Sequence, residues 1–281
     1  MRSQSRLEII RSDNKTLKQI TIDELDHSTV FGTMSSGLTV RQNYDLDITL
    51  FVACYNEEEN IIATLETVDA AMSELDLSWE VVVIDDASTD NSVDLLKQYM
   101  TRVPEQPVIL VVRENNQGLA QNFIEAAFLG RGKYFRLING DNVESSSQIT
   151  SILGHIGEAD ILIPYHAQVQ GRTFFRKCLS NTFTLIVNLL SGYRIKYYNA
   201  CSVHLRHDVM RWHVNCSGFD FQANLITKLL NQGRTYVEIS AVGSERAFGT
   251  SKALTLKNFF SAARFFMDLA FRRVWKLFHG K

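Results

Sequence analysis

The sequence predicts an α/β fold with a mostly parallel central sheet flanked by helices. Three observations predict it. Short apolar runs rich in Val and Ile alternate with helix-period segments over residues 47–163. The runs are almost continuously apolar, as strands covered on both faces require. Polar clusters follow three of them directly, at 55–57, 85–86 and 139–141, where strands of a parallel sheet end and ligands bind.

Each element has its own signal. Residues 48–53 (ITLFVA) have the length of a buried strand, and Cys54-Tyr55-Asn56 turns the chain. Residues 57–75 carry Ile61, Leu65, Val68 and Met72 one helical turn apart. Residues 80–84 (EVVVI) are the second strand, stopped by Asp85-Asp86, and 92–99 the second helix, with Val93, Leu96 and Tyr99 or Met100 facing inward. Residues 107–112 (PVILVV) and 134–138 (YFRLI) are further strands, separated by a turn at 115–118 and an Ala-rich helix at 119–129. A helix at 147–156 and a strand at 160–163 complete the alternation.

Composition narrows the function. Lys+Arg 29 against Asp+Glu 31 leaves a formal charge of -2, which excludes a nucleic-acid binder working through bulk charge. With 45% hydrophobic and 21% charged residues and only 3 prolines, the 281-residue chain is neither collagenous nor a low-complexity polymer. Cys54, Cys178, Cys201 and Cys216 lack Cys-x-x-Cys spacing, so free thiols in a reducing compartment are expected rather than a zinc site. Residues 1–18 lack the apolar stretch of a signal peptide, and no long uncharged window reads as a transmembrane helix. Residues 1–45 are polar and mixed, expected as a poorly ordered extension or short arm.

The polar clusters carry the chemistry. Asp85 and Asp86 are adjacent acids at a strand tip. Ser88 or Asp90 is expected to cap the next helix, but two neighbouring carboxylates exceed what a cap needs. A nucleotide base and ribose, rich in N–H and O–H donors, would answer them. Asn139-Gly140-Asp141 is either a plain Asn-Gly turn or a metal site. Magnesium is held by one or two carboxylates, with substrate phosphates completing its shell. No Gly-x-Gly-x-x-Gly follows a strand and no Gly-Lys-Ser/Thr occurs, so neither a dinucleotide fingerprint nor a P-loop is present.

Taken in order, these segments resemble family 2 glycosyltransferases. FVACYNEEENI at 51–61 is similar to the family's Tyr-Asn-Glu-Glu opening, although Val52-Ala53 lacks the usual proline. VVIDDASTDNS at 82–92 is similar to its Asp-Asp segment, Asn116-Gln117-Gly118 to its turn before a helix, and Asn139-Gly140-Asp141 stands where it carries Asp-x-Asp. GRTFFR at 171–176 and GTSKAL at 249–254 resemble the polyprenyl (dolichyl) phosphate mannosyl- and glucosyltransferase branch. Asn139 departs from the family's first acid, His166 from an arginine, and Asn199-Ala-Cys-Ser202 from Thr-Ser-Gly-Phe.

The resemblance implies a GT-A fold over residues 46–253, preceded by the extension 1–45 and followed by an amphipathic basic helix at 254–281. It implies that Tyr55 and Glu57 sit at the nucleotide, that Asp85 and Asp86 bind base or ribose, and that Asn139 and Asp141 stand at the diphosphate. Asp141 would hold Mg2+ or Mn2+. Arg172, Arg176, Arg246 and Lys252 would contact phosphate, although Arg172 and Arg176 also read as a solvated basic face over Phe174-Phe175. Asp220, before a helix at 223–230, is either an N-cap or a general base.

The expected reaction is inverting transfer of a sugar from a nucleoside-diphosphate sugar to a polyprenyl phosphate, at the inner, cytoplasmic face of a membrane. Two alternatives remain: transfer to a sugar hydroxyl of a lipid-linked saccharide with Asp220 as base, and a non-catalytic nucleotide-binding membrane adaptor. The apolar helix at 182–190 is core or interfacial. In the tail, Lys257, Ser261, Arg264, Asp268, Arg272 and Lys276 share one helix face, and Phe259, Ala263, Phe266, Ala270, Val274 and Leu277 the other. An aromatic stripe with a basic face suits a membrane surface; packing on the domain, or on a second subunit of a homo-oligomer, is the other outcome.

Overall fold

The computed structural model describes residues 7–13, 16–20, 44–169, 174–212, 220–243 and 256–279. In chain order the elements are β1 Leu7–Asp13, β2 Thr16–Ile20, β3 Leu46–Cys54, α1 Ile61–Ser73, β4 Trp79–Asp85, α2 Ser92–Arg102, β5 Val108–Arg113, α3 Leu119–Leu129 and β6 Gly132–Asn139. Then follow α4 Ser146–Leu153, β7 Ile161–Val169, α5 Phe174–Ser191, β8 Val203–Leu205, α6 Arg206–Met210, α7 Phe221–Asn231, β9 Tyr236–Gly243 and α8 Leu256–His279. The elements pack into two compact units: Met1–Asn142 with Leu205–Met210, and Val143–His204 with Arg211–Lys281.

In the first unit the strands run in the order β2-β1-β5-β4-β3-β6. β5, β4, β3 and β6 are parallel, in the register Leu50↔Val81, Leu50↔Arg136 and Val83↔Leu110. Ile48, Leu50, Phe51 and Val52 of β3 and Val82, Val83 and Ile84 of β4 are wholly buried. Each contributes roughly 1.5–3 kcal/mol of apolar burial, which is why these runs read as uninterrupted hydrophobic segments. Phe51, Phe123 and Phe135 pack as a triad with centroids 5.0–6.5 Å apart, fastening α3 to the sheet. A Cβ at Gly132 would stand 2.2 Å from the Thr49 nitrogen, so only glycine lets β6 start against β3.

The amino end of the sheet is held by buried polar groups. Thr49 donates its hydroxyl to Glu80 (2.8 Å) and accepts the Gly132 N–H (2.8 Å), while Arg131 pairs with Glu80 at 3.0 Å. The buried Arg206 guanidinium donates to the Gly132 carbonyl (2.6 Å) and the Ala127 carbonyl (3.0 Å), tying α6 to the start of β6 and the end of α3. Burial pushes its pKa down.

The N-terminal segment differs from the expected arm. β1 pairs antiparallel with both β2 and β5, with Ile10 opposite Leu110, and Ile9 and Ile10 are buried. LEIIRSD lies second from the edge, between β2 and β5, and mixes charges with its two buried isoleucines; that dilution hides the strand in the sequence.

In the second unit β7 lies between β8, antiparallel, and β9, parallel. α4 starts with a capping box, Ser145 with Gln148. α5 packs on α8 through Phe183, whose ring lies 6.3 Å from Phe265 and 5.5 Å from Phe266. α7 is buried along most of its length. β8, β9 and α6 lie outside the run of alternation that the sequence displays.

Candidate functional site

The register of three parallel strands gathers the site. Cys54 at the end of β3 stands opposite Asp85 at the end of β4, and Ala53 opposite Asn139 at the end of β6. Tyr55, Glu57, Asp85, Asp86, Asn139 and Asp141 therefore emerge along one carboxyl edge of the first unit. The chain departs from each strand while still bonded to its neighbour: the Asp86 N–H donates to the Cys54 carbonyl (2.9 Å) and the Gly140 N–H to the Ala53 carbonyl (3.0 Å).

The chain passes through a left-handed residue two or three positions after each of the three strands. Asn56 (φ 55°), Ala87 (φ 66°) and Asn142 (φ 50°) each follow directly on Tyr55, Asp86 and Asp141. Asn tolerates this conformation; Ala at this φ costs roughly 1–2 kcal/mol. The surroundings hold it. The Asn56 N–H donates to the Ser88 hydroxyl (2.8 Å), and Asn56 Oδ1 accepts the Thr89 N–H (2.8 Å). The Glu58 N–H donates to Asp90 (3.0 Å), and Glu58 accepts the Asn91 N–H (3.0 Å). The loops after β3 and β4 are thus zipped together. Neither Ser88 nor Asp90 holds the N-cap position of α2: that is Asn91, whose own side chain makes no cap bond. Asp90 does accept the Ser92 N–H (3.0 Å), but its other oxygen belongs to the zipper. Burial alone would raise its carboxyl; hydrogen bonds from the Ser92 hydroxyl and from the Ser92 and Glu58 amides outweigh that and hold it below the usual range.

Each carboxylate has a distinct setting. Asp86, 5% exposed, accepts the Gln117 N–H on one oxygen (2.8 Å) and the Gly118 N–H on the other (2.9 Å). It thereby fixes the turn that starts α3. Asp85 accepts the Ser88 N–H (3.0 Å) on Oδ1, while its Oδ2 is buried with no hydrogen-bond partner among the described residues. The Cys54 thiol beside the carboxylate is only a weak donor, so the site has room for a stronger donor or a cation from outside the chain. That thiol is pushed up by burial and then by the charge of Asp85, so it stays protonated and is no nucleophile. Glu57 accepts the Asn60 side-chain amide (3.1 Å), and Tyr55 is 39% exposed at the rim.

The Asn139–Asn142 loop is pinned to α1. Thr64 donates to the Gly140 carbonyl (2.9 Å) and Thr67 to Asn142 Oδ1 (2.9 Å). A Cβ on Gly140 would meet the Ala53 carbonyl oxygen at 2.5 Å. This glycine is demanded by close backbone approach, which a plain Asn-Gly turn would not require. Asp141 is buried, and with the Asn139 amide it offers only hard oxygen donors, the set that suits Mg2+ or Mn2+. Among the described residues no group of three or more His, Cys, Asp and Glu side chains is arranged as a metal cage. A carboxylate that shares its ion with substrate phosphates needs none.

Asp220 belongs to the second unit. It occupies the N-cap position of α7 at φ -75° and ψ -6°, yet makes no side-chain cap bond. Its carboxylate, 5% exposed, instead accepts the Ser261 hydroxyl of α8 at 2.5 Å. Arg176 falls within α5, with its side chain outside the described residues; Arg172, Arg246 and Lys252 also lie outside them. The residues missed from the sequence are the zipper partners, the Gln117 and Gly118 amides, and Ser261. Asn116-Gln117-Gly118 left a signal as a turn before a helix, and Ser88 and Asp90 one as caps, a different role from the loop-to-loop bonds they make.

Residues 49–212 match the sequence profile of the family described as Glycosyl transferase family 2. Among similar proteins is the undecaprenyl-phosphate 4-deoxy-4-formamido-L-arabinose transferase of Pectobacterium carotovorum subsp. carotovorum (strain PC1), 25% identical over 75% of this chain and 64% of that one. The same-named protein of Serratia proteamaculans (strain 568) is 26% identical over 75% and 64%. The chain thus spans 64% of the length of these relatives. Among solved structures, glucosyl-3-phosphoglycerate synthase from Mycobacterium tuberculosis with Mn2+, UDP-glucose and phosphoglyceric acid superposes with a TM-score of 0.58 at 13% identity, covering 82% of this chain and 80% of that one. S. aureus TarS 1-349 with UDP-GlcNAc gives 0.57 at 16% identity, covering 79% and 66%. At these identities the structural likeness bears on the fold, which is the GT-A arrangement of both neighbours.

Proposed function

Because the chain belongs to glycosyl transferase family 2, we propose that it transfers a sugar, with inversion, from a nucleoside-diphosphate sugar to a polyprenyl phosphate. One observation carries the donor half: six polar residues of the expected kinds share one strand edge, among them a buried carboxylate oxygen with room for a stronger donor than the thiol beside it. The relatives named for undecaprenyl-phosphate transfer support the acceptor half. The family match at 49–212 falls inside the catalytic domain proposed at 46–253.

The roles follow from position and chemistry. Asp85 and Asp86 take the N–H and O–H donors of base and ribose, with Tyr55 and Glu57 beside them. Asp141, with Asn139, holds Mg2+ or Mn2+ at the diphosphate. The bound ion supplies positive charge that stabilises the departing nucleoside diphosphate. Arg172, Arg176, Arg246 and Lys252 are the proposed phosphate contacts. An acceptor phosphate oxygen forms the new bond to the anomeric carbon. The bond from that carbon to the diphosphate breaks, and the electron pair leaves with the nucleotide. The acceptor is already an anion, so this step needs no strong base.

Asp141→Ala is expected to remove at least about 100-fold of metal-dependent turnover, the scale on which a lost charge-stabilising group is felt. Full retained turnover would contradict the proposal.

A second acceptor class, a sugar hydroxyl of a lipid-linked saccharide, is favoured by the carboxylate of Asp220, which its own helix does not use. A hydroxyl must lose its proton, and a buried carboxylate suits that work. Asp220→Asn separates the two: a lost rate supports the saccharide and an unchanged rate the lipid phosphate. A lipid acceptor also places the protein at a membrane, and the cytoplasmic face is proposed. No helix among the described residues is long and apolar enough to cross one.

A further inference from the structure

α8 buries one apolar face, together with polar groups, and leaves another apolar face outside. Its polar Ser261 and Arg272 face protein: Ser261 bonds Asp220, and Arg272 reaches Asn224 at 3.5 Å. Phe265 and Leu269, each 2% exposed, pack inward alongside them. A second apolar stripe is left outside. Met267, Phe271, Val274 and Phe278, spaced as i, i+4, i+7 and i+11, are 66%, 68%, 49% and 80% exposed. Trp275, 56% exposed, stacks beside Phe271 with ring centroids 6.3 Å apart. The row runs through Val274, which the sequence places on the apolar face, and takes in Met267, Phe271 and Phe278. A helix that turns polar groups inward and leaves a row of large apolar side chains outside carries an interaction surface.

Charge says what covers it. α8 carries Lys257, Arg264, Arg272, Arg273 and Lys276 against the single acid Asp268, which pairs with Arg272. Arg264 and Arg273 are exposed, and Arg273 donates to the Leu189 carbonyl (2.7 Å) in the last turn of α5. That bond sets the C-terminus of α5, whose Leu185 and Leu189 are 59% and 64% exposed, beside α8. A second copy of this chain is disfavoured as occupant, since a two-fold contact would bring together two helices that each carry five basic residues against one acid. A surface of apolar depth and negative charge fits both properties. We propose that the exposed stripe of α8, with the exposed Arg264 in line with it and the neighbouring leucines of α5, docks on an anionic lipid bilayer. The helix lies in the plane of the headgroups, with Phe271 and Phe278 in the acyl boundary and Trp275 at the headgroup level. Basic residues beside such a stripe strengthen binding to anionic leaflets and make it sensitive to salt.

The proposal deepens the reading of a membrane-held acceptor and is tested without donor or acceptor, so failure of sugar transfer would leave it standing. The full chain is floated with vesicles of pure phosphatidylcholine and of equal parts phosphatidylcholine and phosphatidylglycerol, and Trp275→Phe marks which emission change belongs to that tryptophan. Wild type is expected on the anionic vesicles, with salt-sensitive binding. Phe271→Ser with Phe278→Ser is expected to weaken binding at least about tenfold, without altering circular dichroism or melting, because both side chains are already solvent-exposed. Arg264→Glu, away from the core, is expected to weaken binding to the anionic vesicles about tenfold. Three results would overturn the proposal: no binding to anionic vesicles, equal binding by the double variant, or a solution dimer that the double variant disperses while vesicles bind neither. Equal binding to both vesicle types would overturn the commitment to anionic lipid.

Discussion

Asn139 and Gly140 show how little side chain the proposed metal edge carries. Under the proposed function Asn139 would supply an amide oxygen where the family's Asp-x-Asp has an acid, so one charge would be missing opposite the ion. Asn139→Asp is expected to tighten Mn2+ binding in the presence of nucleoside diphosphate, read by calorimetry; unchanged affinity would place residue 139 outside the ion's shell. Gly140 has no room for a methyl group, because its Cβ would meet the Ala53 carbonyl oxygen at 2.5 Å. Gly140→Ala is expected to cost about 1–3 kcal/mol of stability in urea unfolding and to lower turnover, since relief of the clash must move Asp141. A wild-type midpoint with full activity would contradict that. Tyr55, Glu57, Asp85, Asp86, Asn139 and Asp141 were legible because an apolar strand fixes where its polar end falls. Their partners were not. Asp86 meets Gln117 and Gly118, and Asn56 meets Ser88 and Thr89, across some thirty residues of chain, at places only the strand register determines.

At the scale of elements, the zipped loops after β3 and β4 give the site its frame and a signature in pH. Asp90 has a folded pKa below its unfolded value, so its contribution to stability is complete above the unfolded value, about 3.9. It is lost as pH falls through the lower folded value. Wild type is therefore expected to lose unfolding free energy below about pH 4 more steeply than Asp90→Asn, which has no charge to neutralise. Parallel acid limbs in denaturant midpoints would contradict this. The buried strands β3 to β6 and the helices between them were legible because burial on both faces leaves an uninterrupted apolar signature. β1 was not, because its two buried isoleucines, Ile9 and Ile10, stand among charged residues, and β8 is only three residues long. The direction in which α8 turns its faces was also hidden. Periodicity finds two faces, but only packing on Phe183 and the bond to Asp220 decide which one points inward.

In the whole molecule, the edge proposed to take a nucleotide and a metal ion stands in the first unit, and a basic helix with an exposed aromatic stripe in the second. A transferase that draws a soluble donor to an acceptor held in lipid needs both properties. The most direct test supplies purified protein with Mn2+ or Mg2+ and a panel of UDP-, GDP- and dTDP-sugars, with and without undecaprenyl or dolichyl phosphate, and follows nucleotide release. Release from one donor that depends on the lipid phosphate is the predicted result. Release that ignores the lipid phosphate but requires a saccharide hydroxyl and Asp220 would contradict it.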